Sequence, residues 1–306
     1  MELIVHGGAG GVPDDPEPRQ AVLDEAASAG SGESDPLDAV ESAVRVLESA
    51  PRFNAGVGSA VQSDGVLRTD AGVMTEDREV GAVAGLTGVE HPLTVARAVR
   101  AETPHVLLAG DRALEFAASV GVATDADLWT DRSREKWADA DPPATDDPAA
   151  HLDWLRSRFG STEAGGVGDS VESAADTGER DPTDHDTVGA VARRGDRFAA
   201  ATSTGGRWFA LAGRVGDVPQ VGSGFYCAPA GGASATGAGE DIARVTLSRR
   251  AVRHLEAGRD AQAAAESAVR EFGELTGSSA GVVVAGRESL GSAFNSEEMQ
   301  TSRAGR

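Results

Sequence analysis

The stretch His185-Asp186-Thr187-Val188-Gly189-Ala190-Val191 decides how the rest of the sequence is interpreted. It places a threonine at the start of a run of small apolar residues that is typical of a buried strand. A threonine hydroxyl is a weak nucleophile unless a base lies beside it, and a cut before the threonine would supply one by freeing its α-amine. That amine has an ordinary pKa of about 7.7–8.0, suited to general-base catalysis. Thr187 is therefore a candidate nucleophile, with an ordinary strand residue as the alternative.

Glycine-rich and polar blocks accompany this stretch in a fixed order along the chain. They are His6-Gly7-Gly8-Ala9-Gly10, Phe53-Asn54-Ala55-Gly56-Val57-Gly58, Thr202-Ser203-Thr204-Gly205-Gly206, Gly213-Arg214-Val215-Gly216-Asp217 and Thr236-Gly237-Ala238-Gly239-Glu240. Taken together, these blocks resemble the plant-type L-asparaginase and isoaspartyl peptidase family of the N-terminal nucleophile hydrolases. The matching blocks cover nearly the whole chain, apart from an acidic stretch and parts of the middle.

The resemblance implies a fold and a maturation step. The fold is an α/β four-layer αββα sandwich, formed as a single domain by residues 1–306. The precursor would cut itself between Asp186 and Thr187 into an α subunit, 1–186, and a β subunit, 187–306. Two such αβ pairs would form a homodimer.

Residue roles follow from the same resemblance. Thr187 would be the nucleophile, and Thr204 would hydrogen-bond near it and adjust its reactivity. Thr236 and Gly237 match the oxyanion-hole positions, where fixed donors stabilise a tetrahedral intermediate. These three positions, with Thr187, are the expected catalytic residues.

Substrate recognition is assigned to the two later blocks. Arg214 matches the arginine that clamps the substrate α-carboxylate, and a planar guanidinium suits that task because it can bind both oxygens. Asp217 would bind the α-ammonium, while Gly237 and Gly239 let the backbone approach the ligand closely. An arginine and an aspartate three residues apart are complementary to the zwitterionic end of an amino acid.

A backbone loop is the expected site of a structural sodium ion, and no other cofactor is expected. The carbonyls that match the family loop belong to Leu47, Glu48, Ala50, Phe53, Ala55 and Val57. The ion would fix Asn54, a supporting residue, near the site.

The expected reaction is hydrolysis of L-asparagine, of β-aspartyl dipeptides, or of both, through a β-aspartyl ester on Thr187. Two departures from the family's sequence pattern leave the choice among substrates open. His185-Asp186-Thr187 resembles the related glycosylasparaginase branch, which makes cleavage of N-glycosyl asparagine the alternative. Trp208 and Phe209 stand where family members commonly have polar residues, and these aromatics could shape a leaving-group pocket or pack in the core. A non-catalytic binding protein of the same fold is a further alternative.

Composition excludes several partners. The 306 residues include 28 Lys and Arg against 49 Asp and Glu, for a net charge of −21. Such charge repels phosphate backbones and anionic lipids, so neither nucleic acid nor membrane is expected as a partner. Lys136 is the single lysine, which excludes the GxxxxGK[ST] phosphate loop. One cysteine, Cys227, fits a reducing compartment and a cytoplasmic protein. The acidic excess also predicts a halophilic protein that is soluble in concentrated salt.

Apolar spacing predicts the helices and strands of a layered α/β fold. Predicted strands cover 2–6, 105–109, 188–192, 197–202, 281–285 and 290–294. One predicted helix begins at the Asp35-Pro36 cap. Further helices are predicted at 92–100, 111–120, 152–159, 242–255 and 261–272. Residues 160–184 are acidic and poor in apolar residues, which predicts a flexible loop.

Overall fold

Two β-sheets and their flanking helices make up the computed structural model, which describes residues 1–145, 147–159 and 187–305. The strands are β1 (Glu2–His6), β2 (Thr69–Thr75), β3 (Val80–Leu86), β4 (Leu107–Ala109), β5 (Val188–Arg194), β6 (Arg197–Thr204), β7 (Phe225–Ala228), β8 (Gly231–Gly237), β9 (Ala280–Gly286), β10 (Leu290–Phe294) and β11 (Thr301–Ala304). The helices are α1 (Pro16–Ser31), α2 (Pro36–Glu48), α3 (Pro92–Glu102), α4 (Gly110–Ser119), α5 (Asp131–Ala140), α6 (Pro148–Phe159), α7 (Gly239–Val245), α8 (Leu247–Glu256) and α9 (Ala261–Thr276). The fold is therefore mixed α/β.

Strands from both sides of Thr187 share the larger sheet. Within the described residues its order is β11-β1-β5-β6-β2-β3-β4, and the smaller sheet runs β10-β9-β8-β7. Strand β1 lies between β5 and β11 and pairs antiparallel with both. The segment before Thr187 and the segment after it are thus interleaved through backbone hydrogen bonds.

Alternating side chains explain how the layers pack. Leu3 and Val5 of β1 belong to the cluster that joins the larger sheet to α1–α4. Ile4, between them, faces the other way and packs in a cluster with Phe225 and Val283 of the smaller sheet. Side chains alternate between the faces of a strand, so one strand supplies both cores. A third cluster joins the smaller sheet to α8 and α9.

Most elements predicted from the sequence are present, with small shifts at their ends. Asp35 caps α2 by accepting a hydrogen bond from the Leu37 N–H at 2.9 Å, and Pro36 occupies the first helical position, as predicted. The predicted strand at 105–109 is shorter, since β4 begins at Leu107. None of the described helices combines the length and apolar character that a membrane span needs.

One predicted helix is wrong. The pattern at 242–255 predicts a single helix, whereas the structure has α7 and α8 with a break at Thr246. Thr246 adopts a left-handed conformation with φ 56°, so the chain turns there. The Arg250 guanidinium compensates the break by donating from Nε to the Val245 carbonyl at 2.7 Å.

Two predictions lie outside the described residues. These are the acidic loop at 160–184 and Asp186, the residue before the predicted cut. The helix predicted at 152–159 is present as part of α6.

Candidate active site

Thr187 and Thr204 form a hydroxyl pair where β5 begins and β6 ends. The register of the two strands pairs Val188 with Ser203, so Thr187 comes opposite Thr204. The Thr187 hydroxyl donates to Thr204 Oγ1 at 3.2 Å. Thr204 Oγ1 also accepts from the Gly206 N–H at 3.1 Å, which fixes its orientation. The structure thus brings the predicted nucleophile against the predicted neighbouring threonine.

A second group gathers opposite charges around a glycine. An added Cβ at Gly239 would lie 2.7 Å from Asp217 Oδ1 and 2.9 Å from Arg214 Nη2. Because Gly239 has no side chain, both groups can lie close to its backbone with no side chain between them. Asp217 is 5% exposed, and its Oδ2 is buried without a hydrogen-bond partner among the described residues. An unpartnered buried carboxylate oxygen is costly unless a ligand satisfies it.

The ionisation of this group is set by burial and by Arg214. Burial raises the pKa of Asp217 to about 7, against the lowering effect of the Arg214 charge. Burial acts to lower the pKa of Arg214, but the hydrogen bond from its Nε to Glu240 Oε1, 2.9 Å long, and the nearby carboxylates raise it overall. Arg214 is therefore a fixed cation beside an aspartate that titrates near neutral pH.

Asp70 is a further buried carboxylate near both groups. It pairs in register with Thr204 across β2 and β6, at a bulge in the pairing of β2 with β3. Its Oδ1 accepts from the Gly85 N–H at 2.8 Å. Burial raises the pKa of Asp70 to about 6, and the charge of Arg214 partly offsets this effect. Asp70 therefore lies beside Thr204 and within the electrostatic reach of Arg214.

The predicted oxyanion residues occupy the end of β8, a strand that packs against β5 and β6. Thr236 is fully buried, and its Oγ1 accepts from the Ala9 N–H at 3.3 Å. Gly237 has φ 135°, and a Cβ there would lie 2.6 Å from the Ser279 carbonyl oxygen. This position requires glycine, both for its backbone conformation and for the close approach of β9.

Asn54 ties two turns together behind the hydroxyl pair. Its Nδ2 donates to the Gly206 carbonyl at 2.6 Å, and its Oδ1 accepts from the Ala60 N–H at 2.8 Å. The Asn54 carbonyl in turn accepts from the Gly205 N–H at 2.8 Å. Gly206 also holds Thr204, so Asn54 supports the hydroxyl pair indirectly.

Several known proteins are similar to this chain over most of its length. A family model described as asparaginase matches residues 1–305. A plant-type L-asparaginase of Pyrococcus abyssi is 37% identical over 311 residues, covering 98% of this chain and 94% of its own. An isoaspartyl peptidase/L-asparaginase of Danio rerio is 34% identical, with coverage of 92% and 84%. An isoaspartyl peptidase of Salmonella typhimurium is 38% identical, with coverage of 86% and 79%. The chain belongs to the asparaginase family.

Sequence reasoning about this asparaginase-family chain missed a buried hydrogen-bond network beside Thr187. His6 Nε2 lies 2.8 Å from Ser234 Oγ, which lies 2.6 Å from Thr202 Oγ1. Thr202 donates its hydroxyl proton to the Gly224 carbonyl at 2.8 Å. Ser234 must then donate to Thr202 and accept from His6, which assigns the Nε2–H tautomer to His6.

His6 is uncharged in this network. Burial lowers its pKa to about 3, against a smaller raising effect of the Thr187 backbone. The histidine is therefore neutral at any pH near neutrality, and its polar contact is the hydrogen bond to Ser234. The first block of the sequence contains His6, but its partner Ser234 is 228 residues away, and the spacing gave no signal of the contact.

Glu48 has a role that sequence reasoning also missed. Its side chain is fully buried, and it accepts hydrogen bonds from Ser203 Oγ at 2.7 Å and from the Leu93 N–H at 3.2 Å. His91 Nδ1 lies 3.2 Å from its other oxygen. Burial raises the pKa of Glu48, and the His91 and Ser203 contacts partly offset this effect. The carboxylate anchors β6 one residue before Thr204.

Trp208 and Phe209 pack in the core. Each is 6% exposed, and the Phe209 ring lies 5.8 Å from that of Trp154 and 6.4 Å from that of Trp137. Lys136 Nζ covers the Trp208 ring at 4.4 Å. Of the two interpretations of this aromatic pair, the structure favours core packing.

Proposed function

We propose that this chain is an L-asparaginase that also hydrolyses β-aspartyl dipeptides. One observation carries the proposal: the Asp217 carboxylate, whose buried Oδ2 has no hydrogen-bond partner among the described residues, presents its Oδ1 towards Arg214 Nη2 at the position of Gly239. This arrangement is complementary to the ammonium and carboxylate of one amino-acid head group. Relatives named L-asparaginase and isoaspartyl peptidase support the same substrate class.

The proposed reaction begins with self-cleavage between Asp186 and Thr187. The freed α-amine of Thr187 takes the proton of its own hydroxyl, and Oγ1 attacks the β-carbonyl carbon of the substrate. Thr236 and Gly237 stabilise the resulting oxyanion, while Thr204 holds Oγ1 in place. The C–N bond breaks, and the amine leaves with the proton as ammonia or as an amino acid. Water then hydrolyses the β-aspartyl ester, which releases aspartate and restores the hydroxyl.

We infer that fragments 1–186 and 187–306 remain together after the cut as one domain. The pairing of β1 with β5 and β11 supports this, because cleavage leaves those hydrogen bonds intact. The helix–sheet and sheet–sheet clusters are consistent with the four-layer αββα sandwich of N-terminal nucleophile hydrolases. Two αβ pairs would form a homodimer, so light scattering should give twice the 31.2 kDa chain mass. The free Cys227 fits a cytoplasmic location.

We also propose that the loop at 47–57 holds a structural sodium ion. Supporting this, a Cβ at Gly56 would lie 2.3 Å from the Glu48 carbonyl oxygen, and one at Gly58 would lie 2.7 Å from that of Phe53. Carbonyl oxygens thus crowd around positions that only glycine can occupy, and hard cations prefer such oxygens. The carbonyls of Leu47, Glu48, Ala50, Phe53, Ala55 and Val57 would hold the ion, which would stabilise the loop that carries Asn54.

The sodium proposal can be tested by thermal unfolding in NaCl and in N-methylglucamine chloride at equal ionic strength. Sodium should raise the midpoint beyond the effect of the organic cation. Equal midpoints would contradict the proposal.

Substrate class is tested by parallel assays on L-asparagine, a β-aspartyl dipeptide and an N-glycosyl asparagine, with Thr187→Ala as the inactive control. We expect activity on the first two. Exclusive activity on the third would instead identify a glycosylasparaginase, the function suggested by His185-Asp186-Thr187. The burial of Trp208 counts against that alternative, because this aromatic is not free to stack on a sugar.

A further inference from the structure

The Arg214 guanidinium is held from one side by Glu240, the second residue of α7. Arg214 Nε donates to Glu240 Oε1 at 2.9 Å. The Glu240 side chain is 50% exposed, whereas that of Arg214 is only 17% exposed. The contact therefore joins a largely buried cation to a carboxylate at the rim of the site.

This contact leaves one edge of the guanidinium for a ligand. A guanidinium can bind a carboxylate with two parallel hydrogen bonds along an edge. Glu240 occupies Nε, so the edge formed by Nη1 and Nη2 remains. Nη1 lies 2.8 Å from a Cβ position at Gly216, and Nη2 lies 2.9 Å from one at Gly239. The two glycines thus put no side chain over this edge.

The position of Arg214 matters because the oppositely charged Asp217 lies nearby. Its buried Oδ2 has no hydrogen-bond partner among the described residues. An arginine released from Glu240 would be attracted to this carboxylate, and the two side chains would form a direct ion pair. Holding Arg214 by Nε keeps the two opposite charges apart.

We propose that Glu240 is a positioning residue that holds Arg214 away from Asp217, so that the two can bind the α-carboxylate and α-ammonium of one substrate. This proposal rests on the proposed amidohydrolase function and identifies what keeps its substrate site open. Glu240 does not itself touch the substrate; it acts through Arg214.

The ionisation of Glu240 is consistent with this role. Burial acts to raise its pKa, but the hydrogen bond and charge of Arg214 lower it below the ordinary value. The carboxylate is therefore charged at neutral pH. Arg207 contributes a further lowering effect, while Asp217 and Asp70 are the other acids that interact with Arg214.

The test compares Glu240→Ala, Glu240→Gln and the control Glu256→Ala. Glu256 bonds Arg249 at 3.0 Å in an ion pair on α8, outside the site, so the control removes a similar contact. Intact mass and thermal unfolding should show that all three variants are folded and cleaved like wild type. Kinetics are then measured on L-asparagine.

We expect Glu240→Ala to raise KM at least tenfold with kcat changed less than about threefold, because the loss affects binding of the head group. Glu240→Gln keeps an oxygen acceptor for Nε and should restore KM to within about threefold of wild type. Glu256→Ala should match wild type.

The proposal would be overturned by a KM that is unchanged in Glu240→Ala, or by an equal rise in KM in the Ala and Gln variants. Loss of kcat alone would also contradict it, because that pattern indicates a role in the chemical step. A folded, cleaved wild type without activity on L-asparagine or β-aspartyl dipeptides would refute the proposed function itself, and this inference with it.

Discussion

Asp217 is the residue whose charge most directly controls binding in this account. Its carboxylate must be ionised to attract an ammonium group, yet burial raises its pKa to about 7. A raised acid pKa means that the protonated, uncharged form dominates below that pH. Binding of an α-ammonium substrate should therefore weaken as the pH falls through 7.

The pH dependence can be isolated with Asp217→Asn. At pH 8 we expect wild type to exceed this variant in kcat/KM by roughly 100-fold, since removing one partner of a buried charge pair costs a few kcal/mol. Below pH 7 this ratio should shrink by about tenfold per pH unit as Asp217 protonates. The titration of the Thr187 amine affects both enzymes and cancels in the ratio. A ratio that stays constant from pH 5 to 8 would contradict the role of Asp217.

Gly239 offers a steric test at the same scale. In Gly239→Ala the new methyl group would lie 2.7 Å from Asp217 Oδ1, so it would occupy the space assigned to the substrate head group. We expect KM for L-asparagine to rise roughly 100-fold, with the unfolding midpoint little changed. Gly32→Ala, at a helix end where the nearest atom is 3.4 Å away, is the matched control and should leave both quantities unchanged. Normal KM in Gly239→Ala would rule out this position for the head group.

Among the elements, the end of β6 is joined to α2 and α3 by one buried carboxylate. Glu48, at the end of α2, accepts hydrogen bonds from Ser203 on β6 and from Leu93 on α3. Replacing it leaves buried donors without partners, which is among the costlier effects of a single substitution.

We therefore predict that Glu48→Ala lowers the free energy of unfolding by roughly 3 kcal/mol, measured by chemical denaturation. Glu90→Ala removes a more exposed carboxylate that contacts Ser49 and His91 and should cost less than about 1 kcal/mol. Similar losses in the two variants would show that Glu48 is not a special anchor.

Elements with a clear apolar period were predictable from the sequence. Helix α2 has a capping aspartate and buried residues at helical spacing, so both its start and its buried face could be inferred. Strand β2 is buried along its whole length, so it lacks the alternation that marks a strand with one exposed face. Helix α1 is rich in alanine, glycine and serine and offers little contrast between faces. The helix break occurs at a threonine, Thr246, and not at a glycine or proline that would have predicted it from the sequence.

The candidate site likewise has residues that were predictable from the sequence and contacts that were not. Thr187, Arg214 and Asp217 belong to local blocks whose order along the chain carries the family resemblance. The contact of His6 with Ser234, and that of Arg214 with Glu240, depend on how distant segments pack. Glu240 is the last residue of the block that begins at Thr236, but only side-chain geometry shows which atom of Arg214 it binds.

For the whole molecule, the net charge of −21 makes salt the main external variable. Repulsion among surface carboxylates opposes the compact state, and at 1 M salt the screening length falls to about 3 Å. We predict that the unfolding midpoint rises by several degrees between 0.1 and 2 M KCl, and that dialysis into low salt destabilises the fold. A midpoint that does not depend on KCl concentration would contradict the prediction of a halophilic protein.

The whole proposed mechanism depends on self-cleavage before Thr187, which intact mass and N-terminal sequencing would detect. Purified wild type and Thr187→Ala are held in concentrated salt for several days and sampled throughout. We predict that wild type yields a fragment beginning Thr-Val-Gly-Ala-Val, while Thr187→Ala stays whole. A wild-type chain that is folded but remains uncut between Asp186 and Thr187 would contradict the proposed mechanism and favour a non-catalytic binding protein.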